Sequence, residues 1–429
     1  MKHGASSPLA PLADRWFRAF WLSAVVSNTG TWMHEVGAAW TMTALTENSP
    51  LMVALIRTAT TVPLVLLALP LAVLADRGDR RKFLLVTQTW LACTAGVLAV
   101  LAATDRLNQW SLLLLTLSMG LGAAVHGPAW QATLPHLVPR AQRPDAVGLV
   151  STSWNLARTI GPAIGGALVA AWGAWSVFAI NAVSFCAVMA VLWRWQPHAD
   201  GRTAHPTGLR AAMREAIDFV RDDRVMGNTL VRTLLFTLCA TSIWALSPVL
   251  ARGPLGWEAP GVGLLLAVLG AGAVAAIAVV QAWRVRWGSD RLVMGCAVAA
   301  TAALILSSIT HDPRGVIPLM FVLGACWMMT ITTLNATAQM TLPSPLRARG
   351  MACFLTTFAA GMAFGSLAWG ALARQTSLAT SLQVAGATLL LTTWFSRHRS
   401  LGSALTELAD QGGQATEPRV DAATRDGVA

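Results

Sequence analysis

Runs of about 20 apolar residues recur along this chain from end to end, each long enough to cross the hydrocarbon of a bilayer as a helix. Twelve can be placed, at roughly 19–43, 51–74, 83–103, 110–134, 147–171, 175–193, 229–250, 262–282, 292–309, 316–342, 351–373 and 378–395. Only 12% of the 429 residues are charged, against about a quarter in a soluble domain. Met1 to Trp16 has neither an apolar core nor a cleavage-site pattern, so no signal peptide is expected. All six cysteines lie inside apolar runs without metal-ligand spacing. They read as packing residues, with no metal site and no disulfide framework.

The turn between the second and third runs, Leu71 to Phe83, crowds Asp76, Arg77, Asp79, Arg80, Arg81 and Lys82 into a few positions. Such a loop cannot lie in hydrocarbon, and its cations place it on the cytoplasmic side. The rest of the basic residues agree. Of 31 Lys and Arg, four (Arg106, Arg252, Arg314, Arg374) fall in outside loops and three (Arg57, Arg158, Arg232) within spans, leaving 24 in the seven inside segments. The net charge of +11 is therefore topology and not a nucleic-acid surface. A multi-pass protein of a bacterial inner membrane with both ends in the cytoplasm is expected.

The one long internal segment, 194–228, divides the spans into two sets of six. Within it Leu209, Met213, Ala216, Ile217 and Val220 keep helical spacing, with Arg210, Arg214, Asp218 and Arg221 on other faces. Thr207 is placed to cap that helix, which is expected to lie along the inner membrane surface. The expected organisation is a segment 1–18, a six-helix bundle 19–193, the linker 194–228, a second six-helix bundle 229–395 and a polar, disordered tail 396–429. The halves also echo each other. Gln131-Ala132-Thr133-Leu134-Pro135 returns as Gln339-Met340-Thr341-Leu342-Pro343, and Gly161 and Gly165 return as Gly361 and Gly365. The fold class is thus all-α, membrane-integral and duplicated, with a site expected between the halves.

These features resemble the major facilitator superfamily. Asp76-Arg77-Gly78-Asp79-Arg80-Arg81 matches that superfamily's loop between spans 2 and 3, with Ala72 and Asp79 where glycines are usual. Span 5 matches its antiporter-type motif through Gly148, Gly161-Pro162 and Gly165-Gly166, departing at Ala157. Thr116 stands where many proton-coupled drug exporters carry an arginine in span 4. More narrowly, Asn28-Thr29-Gly30-Thr31-Trp32-Met33, Gly127-Pro128-Ala129 and Asn155 to Pro162 resemble the enterobactin-exporter-like branch, the transmembrane secretion effectors. The resemblance implies a twelve-helix transporter working by alternating access. It also implies gating by Asp76, Arg77, Arg80 and Arg81, with Asp76 near the start of span 11, and antiport through span 5.

Glu35 alone among the twenty Asp and Glu falls inside a span, and ionisable groups at such depth face a cavity or a partner. At about 1.5 Å per residue it lies roughly 6 Å outward of the middle of span 1, while Arg57 lies roughly 8 Å outward of the middle of span 2. The two read either as a static ion pair or as a carboxylate that exchanges its salt bridge for a proton or substrate. Arg158, at the middle of span 5, has three open roles: binding carbonyls, taking Glu35 as an alternative partner, or meeting an anionic substrate group. His126 in span 4 is a further proton-relay candidate because imidazole titrates near neutrality, although a lone histidine in a bundle is more often simply hydrogen-bonded. Trp32, Trp130, Trp244 and Trp327 are candidates for aromatic walls of a pocket, and Asn28, Asn155, Asn335 and Gln339 for polar contacts within it.

The expected function is proton-driven export of small amphipathic molecules, siderophore-like or drug-like, by a monomer in a lipid bilayer. No cofactor is expected beyond the proton gradient, since no phosphate-binding loop occurs. The rival readings are an importer or symporter on the same fold, a sensor without transport, and a polytopic membrane enzyme. A single membrane acid argues against the last, and no catalytic residue is assigned.

Overall fold

The computed structural model describes residues 9–74, 80–133, 137–195, 209–310, 312–343, 346–399 and 401. Among these, no strand occurs. The first half comprises α1 (Arg15–Leu45), α2 (Pro50–Leu74), α3 (Arg80–Ala103), α4 (Gln109–Thr133), α5 (Arg143–Trp172) and α6 (Ala174–Arg194). A short α7 (Leu209–Asp222) follows. The second half comprises α8 (Arg224–Arg252), α9 (Ala259–Trp287), α10 (Ser289–Ile309), α11 (Pro313–Thr341), α12 (Arg347–Gln375) and α13 (Leu378–Phe395). Ten described helices are long and apolar enough to cross a membrane. The other two long ones, α1 and α5, are the 31- and 30-residue helices that carry Glu35 and Arg158.

Local chemistry sets the helix ends. Asp14 caps α1 by accepting from the N–H groups of Trp16 and Phe17, both at 2.8 Å, and Asp223 caps α8 through Met226 at 2.7 Å. These side chains satisfy donors that the first turn leaves orphaned. Gly173, at φ +83°, turns the chain tightly from α5 into α6. Large apolar side chains such as Val86, Val183 and Val285 are exposed on the outside of the bundle, as a hydrocarbon solvent allows.

The two halves repeat the same packing. In the first, α1 packs on α5 and α6, α3 on α4 and α6, and α2 on α4. In the second, α8 packs on α12 and α13, α10 on α11 and α13, and α9 on α11. Between the halves, α2 lies against α12 and α5 against α9. The glycine echo marks equivalent contacts. A Cβ on Gly161 would stand 2.7 Å from the Trp32 Cβ, and one on Gly165 2.8 Å from the Met33 Cα, both on α1. On Gly361 and Gly365 it would run into Thr237 and Leu238 of α8. Close approach of this kind holds helices together where lipid offers no hydrophobic drive.

Helices alternate in direction, which defines a terminal face (residues 9–14, α7, 396–399 and 401) and a loop face (the α1–α2, α8–α9 and similar turns). The loop face is drawn shut. Asn48 Nδ2 donates to Val249 O at 3.3 Å. Arg252 of α8 donates to Thr43 Oγ1 at 3.0 Å and lies 4.9 Å from the Trp40 ring. Deeper, Thr58 Oγ1 donates to Ala363 O at 3.2 Å. A Cβ on Gly166 would sit 2.8 Å from Ala259 O across the α5–α9 contact.

At the terminal face α7 packs on α8, α12 and α2, and Glu215 pairs with Arg349 of α12 at 2.6 Å. The chain after α13 does not begin as a free tail. Leu401 is buried with Met226, Val293, Leu334 and Phe354, and Arg232 pairs with Asp290 beneath it while donating to Arg399 O at 3.3 Å. The disorder expected farther along, Thr207, and the loop residues Asp76 and Arg77 lie outside the described residues.

The α5–α9 contact yields a prediction. Gly166→Val, which has no room, is expected to lower stability by about 1–3 kcal/mol through overpacking. Gly148→Val, where nothing lies within 4 Å of the would-be Cβ, is expected to leave it unchanged. Melting of the two variants in detergent checks this.

Candidate functional site

The site begins with two facing side chains. Glu35 of α1 and Arg57 of α2 meet through Arg57 Nη2 to Glu35 Oε2 at 3.1 Å and Nη1 to Oε1 at 3.3 Å, a two-pronged contact. Both are largely shielded, the side chains 23% and 15% exposed respectively. They line a cavity of about 30 Å³ together with Thr60, Trp244, Pro248 and Leu266. That volume holds a water or two and is too small for an organic solute. Its walls come from α1 and α2 of one half and α8 and α9 of the other.

Trp244 is the hub. The Arg57 guanidinium carbon lies 5.7 Å and that of Arg158 5.8 Å from its ring centroid, distances at which a cation is attracted to an indole face. The same ring stands 6.2 Å from Trp32 and 5.8 Å from Trp327. Trp32 in turn meets Trp154 at 6.1 Å, and Trp327 meets Phe358 at 6.0 Å. A continuous aromatic run therefore crosses from α5 through α1, α8 and α11 to α12. Trp154 is 48% exposed and forms its open end.

Arg158 is 92% buried by its 8% exposure. Its Nε and Nη2 have no hydrogen-bond partner among the described residues, and neither do the indole nitrogens of Trp32 and Trp244. Its backbone explains its position. A Cβ on Gly270 of α9 would stand 2.9 Å from Arg158 O, so α5 is pressed against the opposite half at this turn. The span-5 motif thus faces two ways: Gly161 and Gly165 seat α5 on α1, whereas Pro162 and Gly166 meet α9.

Other sequence candidates lie elsewhere. His126 is 3.2 Å from Gln88 Nε2 and 3.4 Å from Thr87 Oγ1, so its ring engages α3 and not the ion pair. Trp130 stacks on Phe20 and His126, at 5.5 and 5.7 Å, in a separate cluster near the terminal face. Asn155 Nδ2 donates to Ser151 O at 2.9 Å within α5, and Gln339 donates to Asn335 along α11. Asn28 is half-buried on α1. Arg80 opens α3, and Arg81 donates from Nε to Leu192 O at 2.8 Å and also to Trp193 O. That contact binds α3 to the end of α6 inside one half. Sequence reasoning missed Phe358 and the Arg252 contact with Trp40 and Thr43, which involve residue types too common to stand out along a chain.

Residues 6–426 match the family model described as transmembrane secretion effector. The MFS-type transporter YfiS of Bacillus subtilis is 23% identical over 380 residues, which is 86% of this chain and 89% of that protein. A staphyloferrin A transporter of Staphylococcus aureus is 28% identical over 174 residues, 40% of this chain and 43% of its own length. Among solved structures, a mutant of the nucleoside transporter NupG superposes with a TM-score of 0.74 at 11% identity, covering 90% of this chain and all (100%) of that one. That last likeness is one of fold.

The ion pair makes a measurable claim. In a double-mutant cycle, Glu35→Gln and Arg57→Gln are each expected to destabilise the protein, with a coupling of about 0.5–3 kcal/mol between them. Thermal unfolding of the four proteins in detergent reads that coupling, and zero coupling would mean the pair contributes nothing to this closed state.

Proposed function

The chain belongs to the transmembrane secretion effector family of the major facilitator superfamily, and from that premise we propose that it exports small amphipathic solutes from the cytoplasm in exchange for protons. The observation that carries this reading is the Glu35–Arg57 pair resting on Trp244 of the opposite half. A carboxylate whose cation partner touches the other half can report its protonation to the interface between halves. A proton on Glu35 removes the attraction for Arg57 and frees the guanidinium to move on the indole face. The contact between halves then changes in strength with each proton taken or lost.

The excess of basic residues at the terminal face supports a cytoplasmic placement for that face, and so a loop face toward the outside. With the loop face shut, the halves would next load from the cytoplasm, pass the solute along the aromatic run and reopen outward by rocking at the α2–α12 and α5–α9 contacts. Pro162 and Gly166 make the second contact smooth enough to slide. The antiporter-type motif in span 5 supports export over import. So does the likeness to a macrolide efflux protein A of Enterococcus faecalis, 26% identical over 184 residues, which span 57% of that protein.

Inverted membrane vesicles loaded with the full-length protein provide the test. An acid interior is expected to drive uptake of fluorescent amphipathic solutes, and a protonophore to collapse it. Glu35→Gln is expected to cut pH-gradient-driven uptake by at least about tenfold while solute binding stays measurable. Full gradient-driven flux through that variant would remove Glu35 from the coupling step, and no uptake by the wild type would remove export.

A further inference from the structure

We propose that Arg158, with the indoles of Trp32 and Trp244, forms a subsite for an anionic group of the substrate, a carboxylate or its chemical equivalent, attached to an aromatic or otherwise apolar body. This rests on the transport reading only for the direction of movement; the ligand chemistry follows from the site itself.

The charge balance is uneven. Glu35 neutralises Arg57, and the acid at the head of α10, Asp290, is paired with Arg232. Arg158, nine-tenths buried, keeps a charge that no carboxylate meets among the described residues. An uncompensated cation held away from water is strongly unfavourable. Its contact with the Trp244 face offsets a fraction of that cost. An arriving anion would remove the rest.

Hydrogen-bond sense points the same way. Four buried polar atoms of Arg158, Trp32 and Trp244 have no hydrogen-bond partner among the described residues: Arg158 Nε, Arg158 Nη2, Trp32 Nε1 and Trp244 Nε1. All four are donors and none can accept. A ligand that satisfies them must present lone pairs, whereas an ammonium would meet repulsion from Arg158 and Arg57 and could reach a carboxylate only by displacing Arg57 from Glu35. A carboxylate fits the guanidinium in a two-pronged contact, while Trp154, Trp327 and Phe358 flank the same run with apolar faces for the remainder of the molecule.

The consequence for transport concerns charge movement. With an anion on Arg158 and Glu35 still paired to Arg57, the loaded site crosses the membrane neutral. Emptied, it returns with its surplus positive charge, which an inside-negative potential draws toward the cytoplasm. A proton carried back on Glu35 adds to that charge. Both components therefore favour outward movement of the anion.

The test uses the full-length protein in lipid nanodiscs and three radiolabelled probes with a common body: naphthylacetate, naphthylacetamide and naphthylethylamine. Wild type is expected to bind the carboxylate about tenfold more tightly than the amide, and the amine most weakly. Arg158→Gln is expected to erase the difference between carboxylate and amide while leaving amide affinity within about twofold, and Arg158→Lys to restore it in part. Equal affinities in the wild type, tightest binding of the amine, or no saturable binding of any probe would overturn the subsite without recourse to a variant. So would an equal loss for all three probes in a folded Arg158→Gln. If the charge preference holds but vesicles accumulate nothing, export falls and the subsite stands. If vesicles export neutral and anionic solutes alike and Arg158→Gln matches the wild type, the subsite falls and export stands.

Discussion

Everything in this molecule depends on how closely its helices can approach in a solvent that does not push them together. In water, burying apolar surface would drive the packing; in lipid the outside is as apolar as the inside, and association rests on contact and polar pairing. Hence the repeated use of positions without side chains. Gly161 and Gly165 let α5 sit on the backbone of α1, Gly361 and Gly365 let α12 sit on α8, and Gly120 brings α4 within reach of the Ala59 and Thr60 carbonyls of α2. The two bundles are held by backbone proximity of this kind, and the same proximity at Gly166 and Gly270 joins them.

Tight packing also explains where charge is allowed. A charged group inside such a bundle needs a partner at hand, because water cannot supply one. Arg232 finds Asp290 toward the terminal face, and Arg57 finds Glu35 near the centre. Arg57 reaches the helix before its own, and Arg232 of α8 reaches the start of α10. Arg57 and Arg158 share a platform, Trp244, which belongs to the opposite half. An aromatic face suits this role better than a second carboxylate would. It holds a cation without neutralising it, and it tolerates sliding because the attraction changes gradually across the ring. The halves can then shift while the cations remain in contact.

The degree to which this could be read along the chain follows from the physics of each feature. The long helices are legible because hydrocarbon thickness imposes a run length that no other constraint mimics, and the linker helix because its apolar spacing differs from that of a span. The Glu35–Arg57 level is legible because helical rise is constant, so depth can be counted from the ends of each run. Rotation about a helix axis is not legible where a helix is apolar all round. For that reason Trp244 can be named as a candidate wall from its residue type, but nothing along α8, buried over nearly its whole length from Phe236 to Ala251, shows which way it faces. His126 is simply hydrogen-bonded to α3, the commoner state of a lone histidine in a bundle, and Trp130, a wall candidate by residue type, turns toward Phe20 of α1. Leu401 lies in a stretch whose polarity reads as tail. It is buried against Met226, Val293, Leu334 and Phe354, and its N–H donates to Asp290 Oδ2 at 3.4 Å, contacts that only the folded bundle reveals.

The duplication gives the site its polarity. The glycine echo that pairs Gly161 with Gly361 also pairs Arg158 with Phe358, three positions before each glycine. On equivalent turns of α5 and α12 the first half thus carries a guanidinium and the second a phenyl ring, and both face the same tryptophan cluster. Glu35 and Arg57 belong to the first half as well, while Trp244, Trp327, Phe236 and Phe358 all belong to the second. The repeated scaffold kept its packing, which any membrane bundle requires, and divided its chemistry. One wall adds charge to its tryptophans, Trp32 and Trp154, and the other is aromatic without charge. Trp244 is therefore the point where the cations of one half meet the ring stack of the other, so any shift between the halves is felt at that indole.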